Sequence, residues 1–170
     1  MSKTTSIYVA LLSCVLGTLL KYANANCPPF FESVNGKCYL FSPTLPAEER
    51  SVSWTVASER CNSYNAGLIV LGSSCENDQI LLNEIVSRSN GTELADVWIG
   101  ANDLLSDGSW KWADGSSVDI YSHLWSPGSP TYTPNINCGI LRRSAFPSRM
   151  YLDDANCLFA HEYICETSEI

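Results

Sequence analysis

Eight cysteines in 170 residues constrain this chain more than any other feature. Cys14 lies inside an apolar run, Ile7 to Leu20, that follows a positive start at Lys3 and precedes Ala23-Asn24-Ala25. That is the pattern of a secretory signal ending in a small-residue cleavage site. The run is 14 residues long, short of the roughly 20 that span a bilayer. Residues 1–25 read as a signal peptide and residues 26–170 as a secreted, extracellular domain. Seven cysteines remain there: Cys27, Cys38, Cys61, Cys75, Cys138, Cys157 and Cys165. None has C-x-x-C spacing, so zinc and thioredoxin-like chemistry lack their signature. In an oxidising compartment they read as bridges, each contributing about 2–4 kcal/mol by constraining the unfolded chain. Seven is odd: one thiol stays free or pairs with another chain. Spacing alone leaves the connectivity open.

Past residue 25 there are 145 residues, a length that suits one domain with its own core. All 18 Asp and Glu fall in this part against eight of the ten Lys and Arg, a formal charge of minus ten. Such a surface repels phosphate backbones and anionic lipid, so nucleic-acid and membrane-surface partners are disfavoured while cations and neutral ligands are not.

Along the chain, "FFESVNGKCYLF" sets Asn35-Gly36 between apolar segments, a two-residue hairpin signal because both residues tolerate positive φ. Residues Ser42 to Ser51 read as an exposed connection. From Ser53, Trp54, Ala57, Cys61 and Tyr64 recur at helical spacing, with Gly67 as the stop. "LIVL" at Leu68 to Leu71 predicts a buried strand. Ser73-x-x-Glu76 predicts a capping box opening a second helix packed by Ile80, Leu81, Ile85 and Val86. Asn90-Gly91-Thr92 is a glycosylation sequon. "VWIG", "SWKWADG" and "HEYICE" are strand-like.

Together, "CPPFFESVNGKCYLF", "WTVASERCNSYNAGLIVL", "VWIGAND", "DGSWKWADG" and "YLDDANCLFAHEYICE" resemble the C-type lectin-like domain family in its long form, with an N-terminal hairpin. The resemblance runs from Cys27 to Glu166. It implies an α+β fold in which two helices flank two small antiparallel sheets, with a long, mostly irregular loop region that makes the ligand site. It also implies the pairs Cys27–Cys38, Cys61–Cys165 and Cys138–Cys157, leaving Cys75 over.

In lectins of this family a Ca²⁺ ion is held by an acid-proline-amide motif, a later Glu and an Asn-Asp pair, and the same oxygens bind sugar hydroxyls. The chemistry is reasonable, since Ca²⁺ takes six to eight oxygens and a vicinal diol can complete the shell. The motif falls on Ser129-Pro130-Thr131 within "LWSPGSPTYTPNINC", so the proline, which the family holds in cis, is kept while acid and amide become hydroxyls. The later Glu falls on or near Ile136, and the Asn-Asp pair becomes Asp153-Asp154, with Leu152 in place of a tryptophan. Two acids and two hydroxyls give at best a weak calcium site, at about the millimolar end of the range. The alternative for Asp153 and Asp154 is a solvated acidic turn, and that reading is favoured. An auxiliary calcium site keeps Asp103 and Asp107, but its other acids align near Tyr132 and Asn137.

His123 and His161 are the only histidines and no nucleophile motif accompanies them, so catalysis is not expected. Adjacent acids cannot face a glycoside from opposite sides either. Trp98, Trp110, Trp112 and Trp125 could stack on sugars but read as core, whereas Tyr121 and Tyr132 in the loop region are better contact candidates. Arg142-Arg143 reads as a solvated pair, or as facing an acidic ligand. Cys75, in the first turn of the second helix, reads as a buried thiol or as an interchain disulfide making a homo- or heterodimer. Two functions stay open. One is carbohydrate binding, including microbial-surface glycans, with Ser129, Pro130, Thr131, Tyr132, Asp153 and Asp154 at the site. The other is calcium-independent protein binding.

Overall fold

The structure, a computed structural model, describes residues 27–72, 75–88, 96–144 and 149–168. The signal segment, Ser73 of the capping box and the Asn90 sequon lie outside them. Strands β1 (Glu32–Val34) and β2 (Lys37–Phe41) pair antiparallel through Val34 and Lys37. Asn35 (φ 50°) and Gly36 (φ 82°) make the two-residue turn, both with the positive φ that the strand twist requires. Helix α1 (Trp54–Ser63), strand β3 (Gly67–Leu68) and helix α2 (Cys75–Arg88) follow, then β4 (Val97–Asn102), β5 (Ile136–Ser144), β6 (Arg149–Asn156) and β7 (Glu162–Ser168).

The strands lie in the order β1-β2-β7-β4-β5-β6, with β3 also on β7. Two antiparallel ladders meet where β4 and β7 run parallel, Val97 beside Glu162 and Trp98 beside Tyr163. Side chains alternate across these central strands, so both faces are covered. Leu40, Trp98, Tyr163 and the Cys61–Cys165 bridge pack with Trp54 and Ala57 of α1. Phe41, Val97, Ile99 and Ile164 pack with Leu81, Leu82 and Ile85 of α2 and with Trp110, Trp112 and Trp125. The tryptophans are therefore core. Trp98 donates its indole N–H to the carbonyl of Val52 at 2.7 Å, and Trp54 to that of Ile99 at 2.8 Å, satisfying donors that burial would otherwise orphan.

Several local expectations are corrected. The Ser42–Ser51 connection is not wholly exposed: it folds into a 3₁₀ turn at Ser42–Thr44 and a helical turn at Ala47–Arg50. Ser42 is fully buried, its hydroxyl donating to Arg50 O at 2.8 Å and accepting from the Tyr163 amide at 2.9 Å. Asn65, at φ 55°, ends α1, and Gly67 instead opens β3. Asn serves because its short polar side chain tolerates the left-handed region. Of "LIVL" only Leu68 is in a strand, although Ile69 and Leu71 are buried. On α2 the inward residue is Leu82 rather than Ile80, which is 37% exposed. "SWKWADG" forms no strand, only bridges from Lys111 to Asn102 and Ser117. Residues 103–135 thus carry neither helix nor strand.

Three disulfides close the frame: Cys27–Cys38, Cys61–Cys165 and Cys138–Cys157. Their sequence separations are 11, 104 and 19 residues, and the entropy a cross-link removes from the unfolded chain grows with the loop it closes. Replacing both Cys61 and Cys165 by alanine is expected to lower unfolding free energy by about 5 kcal/mol, against about 3 kcal/mol for the Cys27/Cys38 pair. Urea denaturation of the two double variants checks the order.

Candidate functional site

The irregular segment is held by side chains that replace the missing ladder. Asp103, buried, accepts the Gly108 amide at 2.7 Å and the Asn137 side-chain amide at 2.8 Å. Asp114 accepts from the amide and hydroxyl of Ser116, at 2.9 and 2.6 Å, and these bonds hold its carboxyl below the usual range. Asp119 accepts the Tyr121 amide at 3.0 Å. The bonds to Asp114 and Asp119 are Asx turns, in which a carboxylate stands in for a backbone carbonyl.

At the end of this segment the Ser129–Pro130 peptide is cis. The Ser129 hydroxyl donates to Asp153 Oδ1 at 2.5 Å. The Thr131 amide and hydroxyl both donate to Asp154 Oδ2, at 2.7 and 2.6 Å. Asp153 and Asp154 stand on β6, opposite Ile140 and Gly139 of β5. They are not a solvated turn: their exposures are 9% and 8%. Gly139 is needed there, because a Cβ would come within 2.8 Å of the Ala101 Cβ on β4.

Arg142 is exposed, as a solvated side chain would be, but it is also paired. From β5 its Nε and Nη2 donate to the two oxygens of Asp96, at 3.0 and 2.9 Å, and its Nη1 donates to Asp153 Oδ2 at 2.5 Å. Hydrogen bonds to Asp96, with Asp153 and Asp154 adding their charge, hold the guanidinium protonated even more firmly than usual. Asp96, just ahead of β4, was invisible as a site residue in the sequence, because only strand pairing brings it beside Arg142.

The set does not fit calcium. Ca²⁺ needs a shell of oxygen acceptors with free lone pairs. Both oxygens of Asp153 and one of Asp154 instead accept from Ser129, Arg142 and Thr131. The hydroxyls act as donors toward the acids, and a guanidinium lies against one of them. Asp154 Oδ1 is buried without a hydrogen-bond partner, one oxygen against the several an ion requires. Asp103 is likewise committed to the loop backbone, while Asp107 is exposed. Among the described residues no group of three or more His, Cys, Asp or Glu is placed to hold a metal ion.

What the region presents outward is aromatic and apolar. Tyr132, 71% exposed, follows Thr131 directly and lies over Gly108, whose φ is 76° and where a Cβ would meet the ring at 3.0 Å. Leu104 and Leu105, 52% and 97% exposed, stand on the same Asp103–Gly108 turn. Tyr121 is also exposed. His161 sits edge-on to Trp98 with ring centroids 4.6 Å apart, and burial pushes its pKa down. A separate cleft of about 430 Å³ opens between Lys37 and Glu166, Trp112 and the Asp114–Asp119 turn. Its polar groups face one another: Lys37 pairs with Glu166 at 3.4 Å, and burial pushes the Glu166 carboxyl up. Cys75 is the first residue of α2.

Residues 50–167 match the sequence model of the lectin C-type domain. The chain is similar to C-type lectin domain family 17, member A, of Homo sapiens, with 27% identity over 148 residues, 87% of this chain and 34% of that protein. The chain thus spans about a third of that relative's length, and a little over half of two further human relatives. Among solved structures, it is similar to the cow carbohydrate-recognition domain of CD23 in the presence of a GlcNAc2Man3 oligosaccharide, with TM-score 0.66 and 25% identity over 86% of this chain and 99% of that one. It is similar also to SPL-1 in complex with GlcNAc, with TM-score 0.66 and 26% identity over 85% and 97% of the two chains.

The hydrogen bonds to Asp154 give a direct check. Thr131→Val keeps the volume and the backbone amide but removes one of the two donors to a buried carboxylate. It is expected to destabilise the protein by about 1–2 kcal/mol, seen as a lower urea midpoint at unchanged slope.

Proposed function

The chain belongs to the C-type lectin domain family, and from that premise we propose that it is an extracellular recognition module. In this reading its long loop binds carbohydrate, including microbial-surface glycans, by direct contact rather than through a bridging calcium ion. Solved neighbours with glycan in their structures support the ligand class. The observation that carries the mode is the engagement of Asp153 and Asp154 by Ser129, Thr131 and Arg142. A sugar must then be held by the rest of the surface, and an exposed tyrosine next to a braced loop suits the apolar face of a pyranose. The reading is a binding one and not catalytic. Three disulfides support folding in an oxidising compartment, consistent with loss of residues 1–25 as a signal and with a sugar on Asn90. Covalent pairing through Cys75 belongs to the second reading, a protein-binding module.

A second reading, a protein ligand bound without calcium, is favoured by Leu104 and Leu105 beside the Tyr132 turn, since exposed apolar and aromatic side chains characterise interface centres. Function lies in the site rather than the fold, so only a ligand measurement separates the two.

A glycan array probed with the secreted protein in calcium and in chelator is the test. Retention on defined glycans that chelator leaves unchanged, and that Tyr132→Ala reduces at least about tenfold with no change in Tm, is the expected result. Retention abolished by chelator overturns the direct-contact mode. No retention in either condition favours the protein ligand. Non-reducing and reducing gels of the same sample read Cys75: a dimer band lost on reduction supports covalent pairing, and monomer in both lanes removes it.

A further inference from the structure

The geometry points to Arg142 as the resident cation of the loop site, a positioning residue that sets Asp153, and through it the Ser129–Thr131 turn, in a single arrangement without any added ion. This goes beyond the choice of ligand and holds for either one. Two adjacent buried carboxylates repel each other and lose water, so they need positive charge or hydrogen-bond donors nearby. Here the donors are built in. Ser129 and Thr131 supply O–H groups, and Arg142 supplies the formal charge.

The guanidinium is suited to this because it is planar and forked. Its Nε and Nη2 grip Asp96 through two oxygens, which fixes the plane and leaves Nη1 directed at Asp153. Arg142 and Asp153 are diagonal neighbours across the β5–β6 ladder, since Arg142 pairs with Tyr151 and Ile140 with Asp153. Asp96 immediately precedes Val97, which pairs with Leu141 next to Arg142. Three strand segments thus converge on one side chain. Asp153 in turn accepts its own neighbour's amide, that of Asp154, at 3.0 Å and the Ser129 hydroxyl at 2.5 Å on the same oxygen, Oδ1. Rotation of this carboxylate would release both. Arg142 at 48% side-chain exposure remains solvated in part, while Asp153 at 12% does not, so losing the cation leaves the acid as the uncompensated group.

The test compares wild type, R142Q and R142Q/D153N by thermal melting in calcium and in chelator at matched ionic strength, with amide hydrogen exchange below the melt. Wild type is expected to melt at the same temperature in both. R142Q is expected to melt about 3–6 °C lower, the shift for one poorly compensated carboxylate in a domain of this size. Adding D153N, which removes the charge that needed a partner, is expected to recover part of that loss. In R142Q the amides of Thr131 and Asp154 should be accelerated at least about tenfold more than those of β2 and β7, which change only with global stability, a local excess that general loosening would not produce. Should R142Q not fold, recovery of folded protein by R142Q/D153N is read in place of the melting shift. A wild-type Tm raised by calcium, an R142Q protein as stable as wild type, or no relief from D153N overturns the assignment. Because no ligand enters these measurements, a failed glycan screen leaves it standing.

Discussion

The arrangement rests on strand β7 and the bridge that ties it to α1. β7 pairs with β2, β3 and β4, and Cys165 on it is joined to Cys61 across a separation of 104 residues. Strand β7 is therefore the one on which β2, β3 and β4 all register. Most of its contacts are far apart in sequence, and closing such loops costs entropy before any contact returns it. A covalent tie at this point acts on the unfolded chain that would otherwise be widest. It also fixes α1 against β7, which adjoins the β4–β5–β6 ladder that supplies Arg142, Asp153 and Asp154, with Asp96 just ahead of β4.

With the frame fixed, a long segment without ladder hydrogen bonds can still have one conformation. Its amides are answered by Asp103, Asp114 and Asp119, by Asn102, and at its end by Asp154. This assigns part of the chain's excess of acid. Carboxylates here serve as turn acceptors, and a negative composition is no measure of metal-binding capacity. A buried acceptor with two donors is stabilised as an anion, so the same residue type that would coordinate an ion can instead organise backbone.

The sequence made the fold legible because its signals were local or periodic: Asn35-Gly36 for the hairpin, the Trp54, Ala57 and Cys61 stripe for α1, the apolar runs of β4 and β7. It failed where a side chain's fate depends on a distant partner. Asp153 and Asp154 read as solvated since nothing adjacent could compensate them; the compensation comes from Ser129 and Thr131, more than twenty residues away. The pairing of Arg142 was not legible because Asp96 is 46 residues earlier. Asn65 displaced Gly67 as the helix stop for a smaller reason of the same kind, the early pairing of Gly67 with Glu166. The candidate site was thus located by its residues but not by their state.

That state has a consequence for how recognition can be tuned. A site assembled by a divalent ion exists only when the ion is bound, so its population follows free calcium by mass action. A site assembled by a guanidinium has its cation at fixed effective concentration, joined to the same strand as the carboxylates' partners, and a permanent charge. Such a loop gives up release by chelation or by falling calcium, and gains indifference to both. The hydroxyls of Ser129 and Thr131, which donate to Asp153 and Asp154, remove the need for a second positive charge. Outside the network the loop region exposes Tyr132 and the Leu104–Leu105 turn. Carboxylates engaged inside the network and aromatic and apolar groups left outside it are thus two sides of one arrangement.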